Sequence, residues 1–432
     1  MFTLLILADD LTGALDSGVQ FAKNGITAGV LPGPPSQEAL PEDTEVLVIN
    51  TNTRHSAPEA ARLVIRNCME RYRAIPYKYK KTDSTLRGNI GAELEAFMEG
   101  AGIKRIPFVP AYPDLGRTTR GGIQFLREKP IHETEMAADS LNPVRESFIP
   151  GIIARQSRIP VRCFASGALS AGGEGGVMVF DSGSNGEMAA VAAALHERNL
   201  LRASAGCAGF AEALMNFIPF KRLSSPVSMT PPPAPRPLLV VSGSVNPVSL
   251  GQVRAALREG IRGFSLPAEK LCEDIWFTSA EAGTVVKQCS DALRQDGICL
   301  IGTNRALGAC CTCGFLYNLC AKRNKLLGIE AQAGQTAGVH EENISGRLGK
   351  LVPGILRETP LHLAVFGGDT LLGIMDALCF DYILPIREIG PGIVLALARG
   401  KINEMFIVTK SGAFGGEGAI TEIWNSLRNP VY

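Results

Sequence analysis

The sequence predicts an α/β protein, made of two α/β domains with mainly parallel sheets and a ligand cleft between them. Three observations support this fold class. Short apolar runs alternate with helical patterns along the chain, as parallel strands joined by crossover helices require. A proline-rich stretch divides the 432 residues nearly in half, and a chain of this length exceeds what one hydrophobic core usually supports. Polar or glycine-rich segments follow the predicted strands, where open α/β sheets bind ligands.

The proline-rich stretch SSPVSMTPPPAPRP, residues 224–237, predicts an extended, semi-rigid linker because proline fixes φ and lacks a backbone donor. It separates a predicted N-terminal domain, residues 1–223, from a predicted C-terminal domain, residues 238–432. Strand-like runs occur in both domains: FTLLILA, EVLVIN, RIPFVP and VMVF in the first, and LLVVSG, ICLIG, LHLAVFGG and MFIVTK in the second.

Composition and charge exclude several classes of protein. With 43 basic and 42 acidic residues, the chain has no net field that would attract nucleic acid or an anionic membrane, so we expect neither partner. The N-terminal run MFTLLILADD fits neither a signal peptide nor a membrane span, which predicts a cytoplasmic protein. The 11 cysteines are scattered, and buried reduced thiols are favoured over a zinc site in the cluster Cys310–Cys320.

Two adjacent acids, Asp9 and Asp10, end the first predicted strand and precede Thr12 and Gly13, where a helix can begin. A helix cap is one interpretation, because aspartate and threonine accept the free amide hydrogens of a first turn. Two acids exceed what one cap needs. We therefore expect at least one of them to contact substrate hydroxyls or a metal ion at this strand end.

A second polar cluster lies in the stretch KKTDSTLRG, between a strand-like run and a helical pattern. It contains Lys81, Asp83, Ser84 and Arg87, and Arg54 follows another predicted strand. Lysine and arginine bind carboxylates by charge, while aspartate and serine suit hydroxyl groups. The combination favours a polyhydroxy acid as ligand; the alternative is a solvated network of salt bridges.

The glycine-rich stretch VPAYPDLGRTTRGG supplies two further arginines, Arg117 and Arg120. These side chains either line the same ligand site or decorate a long turn. The residues alone favour neither interpretation.

Three glycine-bearing turns follow strands of the C-terminal half. They comprise Ser242–Ser244, Gly367–Thr370 and Lys410–Gly416. Glycine lets the backbone approach a ligand closely, and free amides at a helix start attract phosphate. The chain has no GxxxxGK[ST] motif and no GxGxxG after a strand. Three such turns in one domain favour phosphate binding without a P-loop.

The motifs also resemble, in order along essentially the whole chain, those of the four-carbon acid sugar kinases. The stretches concerned are ADDLTGALDSG, KKTDSTLRGNIGAELEA, PAYPDLGRTTRGG, DSLNPVRES, SGSVNPVSLGQV, FGGDT and KSGAFGG. The resemblance implies an N-terminal substrate-binding domain and a C-terminal nucleotide-binding domain. It also implies that ATP, with Mg2+, phosphorylates an acid such as threonate, erythronate or a 2-oxo relative.

The expected site residues follow from the resemblance and from the residue chemistry above. For the acid they are Asp9, Asp10, Arg54, Lys81, Thr82, Asp83, Ser84 and Arg87, and for ATP they are Ser242, Ser244, Gly367, Gly368, Asp369, Thr370 and Gly412. Asp369 is the first choice to accept the hydroxyl proton, with Asp83 and Asp10 as alternatives. If the carboxylate is anchored in KKTDSTLRG, the terminal hydroxyl faces the nucleotide and the product is the 4-phosphate.

Two other functions compete with a kinase. An NAD-dependent hydroxy-acid dehydrogenase would share a carboxylate site but should carry a dinucleotide fingerprint. A non-catalytic sugar-acid sensor would have the N-terminal site and no ATP turnover. The sequence leaves open the metal ligands, the stereochemistry of the acid and the oligomeric state, for which a homodimer is one option.

Overall fold

The computed structural model describes residues 2–34, 40–139, 142–166, 175–221, 236–303, 344–412 and 414–428. The chain divides into two compact units, Met1–Ser228 with Tyr382–Ile386 and Met229–Asp381 with Arg387–Tyr432. Each unit is built on a mainly parallel sheet with helices, which confirms the predicted fold class. The cluster Cys310–Cys320 and most of the proline-rich stretch lie outside the described residues. Within the described ranges, no helix has the length and apolar character needed to span a membrane.

The first unit contains a sheet in which neighbouring strands from β2 to β9 are parallel, in the order β2–β3–β1–β4–β11–β5–β10–β9. Its strands are β1 (Leu4–Ala8), β2 (Ala28–Leu31), β3 (Val46–Asn50), β4 (Tyr77–Lys81), β5 (Arg105–Val109), β9 (Val161–Phe164), β10 (Gly176–Phe180) and β11 (Ala203–Gly206). At the β2 edge, Ile383 pairs with Val30 in the antiparallel sense. The residues of β1 and β3 are buried throughout, as expected of parallel strands covered on both faces.

The helices of the first unit connect these strands. They are α1 (Leu11–Ala22), α2 (Pro58–Arg71), α3 (Ile90–Ala101), α4 (Ile149–Ala154), α5 (Asn185–Glu197) and α6 (Ala208–Ala213). The α2 helix begins with proline, which has no amide hydrogen to leave unpaired, and it packs against α3. A small antiparallel sheet is formed by β6 (Arg117–Arg120), β7 (Ile123–Leu126) and β8 (Lys129–Pro130).

The second unit contains a sheet with the order β13–β14–β12–β15–β18–β17, parallel except that β17 runs antiparallel to β18. Its strands are β12 (Leu238–Ser242), β13 (Gly263–Leu266), β14 (Ile298–Thr303), β15 (His362–Phe366), β16 (Tyr382–Gly390), β17 (Ile393–Arg399) and β18 (Glu404–Lys410). The helices are α7 (Pro247–Arg258), α8 (Ala268–Leu271), α9 (Ala280–Asp296), α10 (Val352–Glu358), α11 (Gly368–Leu378) and α12 (Ala419–Arg428). The first part of β16 counts with the first unit.

Close backbone packing fixes α11 against residues 344–351. A Cβ atom at Gly373 would lie 1.9 Å from the carbonyl oxygen of Gly346, whereas a Cβ at Gly251, within α7, would meet nothing within 4 Å. Both glycines are helical, so alanine should improve the helix propensity equally at the two positions. Only the space around them differs.

We expect Gly373→Ala to lower the free energy of unfolding by about 1–3 kcal/mol, because the added methyl forces the backbone apart. The matched variant Gly251→Ala should raise it by up to about 1 kcal/mol. Urea unfolding of both variants checks this. Equal effects of the two substitutions would show that α11 does not pack as closely as the structure describes.

Candidate active site

The polar segments of the first unit meet at one edge of its sheet. The parallel register aligns Ala8 with Asn50 of β3 and with Lys81 of β4, and Lys81 is aligned with Gly206 of β11. The segments that follow β1, β3 and β4 therefore leave the sheet side by side. This places the predicted acid-binding residues of all three segments in one neighbourhood.

Arg54 joins the two aspartates that follow β1. Its Nε and Nη2 atoms donate to Asp9 Oδ2 and Oδ1 at 2.8 and 3.0 Å. Its Nη1 and Nη2 atoms donate to Asp10 Oδ2 and Oδ1 at 2.6 and 2.7 Å. The guanidinium thus makes two-pronged contacts with both carboxylates, the strongest geometry for such a pair. Four of its N–H groups are engaged within the protein.

The two aspartates differ in what else they do. Asp10 caps α1, since its Oδ1 accepts from the amide of Gly13 at 2.9 Å and its Oδ2 accepts from Thr12 Oγ1 at 2.7 Å. The cap interpretation therefore describes Asp10, which also pairs with Arg54. Burial opposes the charge of Asp9, but the charge and hydrogen bonds of Arg54 outweigh it and lower the pKa of Asp9. Asp9 is therefore a buried, ionised partner of Arg54.

Asp83 organises the turn after β4. Its carboxylate accepts from Thr85 Oγ1 at 2.5 Å and from Arg87 Nε at 2.7 Å, and Leu86 has φ of 59°, a left-handed conformation rare for leucine. Burial opposes its charge, but Arg87 and Arg54, with hydrogen bonds from Arg87 and Thr85, hold the pKa of Asp83 well below its ordinary value. Asp83 is consequently a weak proton acceptor, suited to orienting donors.

Lys81 is the cation of this edge that remains available to an anion. Its ammonium donates to the carbonyl oxygen of Thr82 at 2.8 Å, and within the described part of the chain it has no carboxylate at ion-pair distance. It is 4% exposed, and a Cβ atom on Gly13 would lie 2.8 Å from its Nζ. The ammonium therefore sits beside the first turn of α1, where the helix dipole also favours negative charge.

The preceding residue of β4, Lys80, forms a buried ion pair that was not among the predicted site contacts. Lys80 is fully buried, and its Nζ donates to Glu93 Oε2 of α3 at 2.6 Å and to the carbonyl oxygens of Leu7 and Lys81 at 3.2 and 2.7 Å. This ammonium ties the ends of β1 and β4 together from the opposite face. Successive side chains of a strand point to opposite faces, so the sequence YKYKK already indicated that Lys80 and Lys81 lie on different faces of the sheet.

The remaining predicted acid ligands are held mainly through their backbones. The amide of Thr82 donates to the carbonyl oxygen of Gly206 at 2.8 Å, and Gln124 Nε2 donates to the carbonyl oxygen of Ser84 at 2.9 Å. Ser84 is buried beside Asp83 in the same turn. These bonds fix the turn and leave the Ser84 hydroxyl as a candidate ligand.

The two arginines of the glycine-rich stretch are placed differently. Arg120 is exposed and pairs with Glu128 at 2.9 Å, as expected of a residue that decorates a turn. Arg117 is buried, and its Nη1 donates to the carbonyl oxygen of Leu115 at 2.7 Å. Burial lowers the pKa of Arg117, although the charge of Asp83 counteracts this effect. Arg117 therefore lies within electrostatic reach of the acid-binding edge.

The three glycine-bearing turns of the second unit also converge. Ser242 of β12 is aligned with Phe366 of β15, which is aligned with Lys410 of β18. The turns after these adjacent strands touch: the amide of Gly367 donates to the carbonyl oxygen of Lys410 at 3.3 Å. A Cβ on Gly412 would lie 3.5 Å from Ser244 Oγ. The predicted nucleotide residues thus surround one sheet edge.

Glycine is required where these turns approach most closely. A Cβ at Gly243 would lie 2.4 Å from Thr370 Oγ1, so any side chain there would clash. Gly367 has φ of 112°, a conformation that other residues rarely adopt, and it caps α11. Gly368 and Asp369 then form the first turn of that helix. Free amide groups in this turn are available to an anionic ligand.

Two hydroxyl groups of these turns are buried without a hydrogen-bond partner among the described residues. Ser242 Oγ and Thr370 Oγ1 are fully buried and have no hydrogen-bond partner among the residues that the structure describes. Unpaired buried hydroxyls are costly, and a bound phosphate or ribose would supply partners. The described segments contain no group of three or more His, Cys, Asp or Glu side chains that could hold a metal ion. Mg2+ commonly binds through substrate phosphates with one or two carboxylates.

Family models match both halves of the chain. One described as a sugar-binding N-terminal domain matches residues 4–214, and one described as a nucleotide-binding C-terminal domain matches residues 239–420. The first match contains the edge built around Arg54 and Lys81. The second contains the three converging turns.

Related proteins match over nearly the whole length. A D-threonate kinase of Salmonella typhimurium is 30% identical, over 97% of this chain and 97% of its own. A 3-oxo-tetronate kinase of Methylobacterium radiotolerans is 26% identical, over 95% of this chain and 96% of its own. A solved structure of a Haemophilus influenzae protein aligns with 98% of this chain and 100% of the Haemophilus chain. The TM-score is 0.68 and the sequence identity is 19%, which shows a shared fold.

The paired charges around Arg54 predict strong energetic coupling. Arg54→Met leaves the buried Asp9 and the partly buried Asp10 without their cation, so the free energy of unfolding should fall by about 3–5 kcal/mol. In the double variant with Asp9→Asn, the loss should be smaller than the sum of the single losses by about 0.5–3 kcal/mol. The exposed control Arg120→Met should cost less than about 1 kcal/mol. Urea unfolding measures all four variants, and additive losses would contradict the pairing.

Proposed function

The chain belongs to the four-carbon acid sugar kinase family, and we propose that it transfers the γ-phosphoryl group of ATP to the terminal hydroxyl of a four-carbon sugar acid. The substrate class is threonate, erythronate or an oxo-tetronate, and the products are the 4-phosphate and ADP. Relatives named D-threonate kinase and 3-oxo-tetronate kinase support this class. Family membership favours a sugar-acid kinase over the dehydrogenase and sensor alternatives.

The observation that carries the proposal is that the Lys81 ammonium faces no carboxylate at ion-pair distance within the described ranges. Most charges at its sheet edge are matched inside the protein: Arg54 pairs with two aspartates and Arg87 pairs with Asp83. Lys81 donates to a carbonyl oxygen and, within the described ranges, faces no carboxylate at ion-pair distance. A substrate carboxylate would supply the missing anion, and it would also benefit from the first turn of α1.

We assign the carboxylate of the acid to Lys81, with Arg87 as the second cation. Arg87 already donates hydrogen bonds to Asp83 and Asp139. It would therefore attract the substrate carboxylate mainly through its positive charge. Arg54 contributes through its charge and by fixing Asp9 and Asp10. The hydroxyl groups of the acid would then form hydrogen bonds with Thr82, Asp83, Ser84 and the two aspartates after β1. Anchoring the carboxylate at this end leaves C4 as the position farthest from it, which is why the 4-phosphate is expected.

The nucleotide is assigned to the converging turns of the second unit. Ser242 and Thr370 carry hydroxyls that are unpaired within the described segments, and the amides after Gly367 offer donors to phosphate oxygens. The other residues assigned to ATP are Ser244, Gly368, Asp369 and Gly412. Mg2+ bound with ATP would neutralise phosphate charge.

Among the three candidate bases, Asp369 fits best. Asp10 already accepts hydrogen bonds from Arg54, Thr12 and the amide of Gly13. The pKa of Asp83 is held well below its ordinary value, which weakens it as a proton acceptor. Asp369 lies in the first turn of α11, next in sequence to Thr370, whose hydroxyl has no partner among the described residues. We therefore assign Asp369 as the base that accepts the proton of the attacking hydroxyl.

Purified protein with Mg-ATP and a panel of four-carbon acids tests the proposed activity, with ADP release and product phosphorylation followed by NMR. We expect turnover of at least one acid to its 4-phosphate and rejection of the neutral four-carbon polyol. Lys81→Met should raise KM for the acid by about 10- to 100-fold, since a charge-assisted contact contributes roughly 1.5–3 kcal/mol. KM for ATP should hardly change.

Lys78→Met is the matched control, because Lys78 lies at the start of the same strand and donates to the carbonyl oxygen of Ile75. It should leave both KM values unchanged. ADP release that does not depend on any acid would refute the proposed reaction. Retained discrimination against the polyol in Lys81→Met would place the carboxylate elsewhere, with Arg117 the next residue to test.

Asp369→Asn should lower kcat by about 10²- to 10⁴-fold, the usual contribution of a general base, and change KM for the acid little. Asn keeps the size of the side chain, so thermal unfolding should match wild type. Asp376→Asn, on the same helix, serves as the control for substitution within α11. A near-normal kcat in Asp369→Asn would move the base to Asp83 or Asp10.

A further inference from the structure

Lys410, the last residue of β18, carries a buried ammonium that no assigned step uses. It is fully buried, and its Nζ donates to Ser249 Oγ at 2.8 Å and to the carbonyl oxygen of Gly412 at 3.1 Å. The ammonium also lies 4.9 Å from the ring centroid of Phe366. Burying a cation is costly unless an anion accompanies it. Among the described residues, Lys410 has no carboxylate at ion-pair distance.

The place of this ammonium connects it to the turns assigned to ATP. The carbonyl oxygen of Lys410 accepts from the amide of Gly367, and its Nζ holds the carbonyl of Gly412. Ser249, its other acceptor, is on α7 and itself donates to the carbonyl oxygen of Gly412 at 3.0 Å. Two donors, Lys410 Nζ and Ser249 Oγ, therefore converge on the carbonyl oxygen of Gly412. Gln252, one helical turn further along α7, holds the carbonyl oxygens of Phe414 and Gly416 at 2.9 Å each.

We propose that Lys410 is a positioning residue of the nucleotide site: its ammonium holds the Gly412 turn against α7 and supplies a buried positive charge that nucleotide phosphates stabilise. This inference rests on the assignment of ATP to the second unit. Lysine suits the role because it donates several hydrogen bonds from one compact charge. Neither acceptor carries a formal charge, so a bound polyphosphate would be the compensating anion.

The buried position makes nucleotide binding depend on pH. Burial lowers the pKa of Lys410 to about 7, and no charge on another described residue contributes to this shift. The groups that face it are Ser249 from α7, Phe366 from β15 and Ile393, its paired residue on β17, and none of them is titratable or charged. A phosphate anion would favour the ammonium form, so binding above pH 7 should take up a proton.

Titration calorimetry with ADP and Mg2+ tests this, at pH 7.5, 8.5 and 9.5 in buffers of different ionisation enthalpy. Phosphate groups of the nucleotide are already deprotonated in this range. Wild type should take up protons on binding, and its affinity should fall by up to about tenfold per pH unit. Lys410→Met should show no such uptake and bind about 10- to 100-fold more weakly at pH 7.5. The exposed control Lys401→Met should behave as wild type.

The outcomes separate this inference from the proposed function. If wild type does not bind ADP at all, the assignment of the nucleotide to this unit fails. If wild type binds ADP without proton uptake, the role of Lys410 is refuted whether or not the variant folds. A folded Lys410→Met protein, checked by thermal unfolding, that binds with wild-type affinity and proton uptake would refute it as well. Ser249→Ala, which keeps the lysine, should retain the proton uptake.

Discussion

The parallel register of the strands is the constraint on which both candidate sites depend. Ala8, Asn50 and Lys81 end their strands at the same level, as do Ser242, Phe366 and Lys410 in the second unit. Polar residues that follow these strands must therefore emerge together, although long stretches of sequence separate them. The sheet interior below them is apolar and buried, so polar groups can collect only at such an edge. Position in the register, more than any single motif, makes these residues neighbours.

At the edge of the first unit, buried and partly buried charges form paired sets. Arg54 is bonded to Asp9 and Asp10 through four short contacts, and Arg87 is bonded to Asp83 and Asp139. Each ion alone would be costly to bury, whereas the pairs keep their charges with their hydrogen-bonding capacity satisfied. Such a set is rigid and selective. Lys81, which is outside these pairs, is the cation proposed to bind the substrate carboxylate.

The candidate nucleotide edge of the second unit is built from backbone and hydroxyl groups in place of paired ions. Gly243 and Gly367 allow their turns to approach Thr370, and the hydroxyls of Ser242 and Thr370 remain unpaired among the described residues. Amide groups and hydroxyls suit phosphate, whose oxygens accept many bonds. The two edges therefore differ in chemistry, one built from ion pairs and the other from amides and hydroxyls. The buried ammonium of Lys410 is the exception within this edge, because its acceptors are neutral.

The sequence alone predicts the mainly parallel sheets and the polar clusters at the ends of their strands. Apolar runs followed by polar ends predicted the parallel sheets, since buried strands must be apolar and their connections polar. The clusters at residues 9–10, 80–88, 242–244 and 367–370 stand out in the sequence because acids, lysines and glycines follow predicted strands there, where open α/β sheets bind ligands. The cap at Asp10 was also visible, because a first helical turn needs an acceptor.

Other features were decided only by the tertiary structure. Arg54 meets Asp9 across 45 positions, and Lys410 meets Ser249 across 161, and no local pattern encodes such pairings. Strand alternation places Lys80 and Lys81 on opposite faces, but only the packing of α3 decides that Lys80 meets Glu93 and Lys81 does not. The physical reason is that sequence periodicity fixes local direction, whereas burial and partner choice depend on which distant elements cover each face.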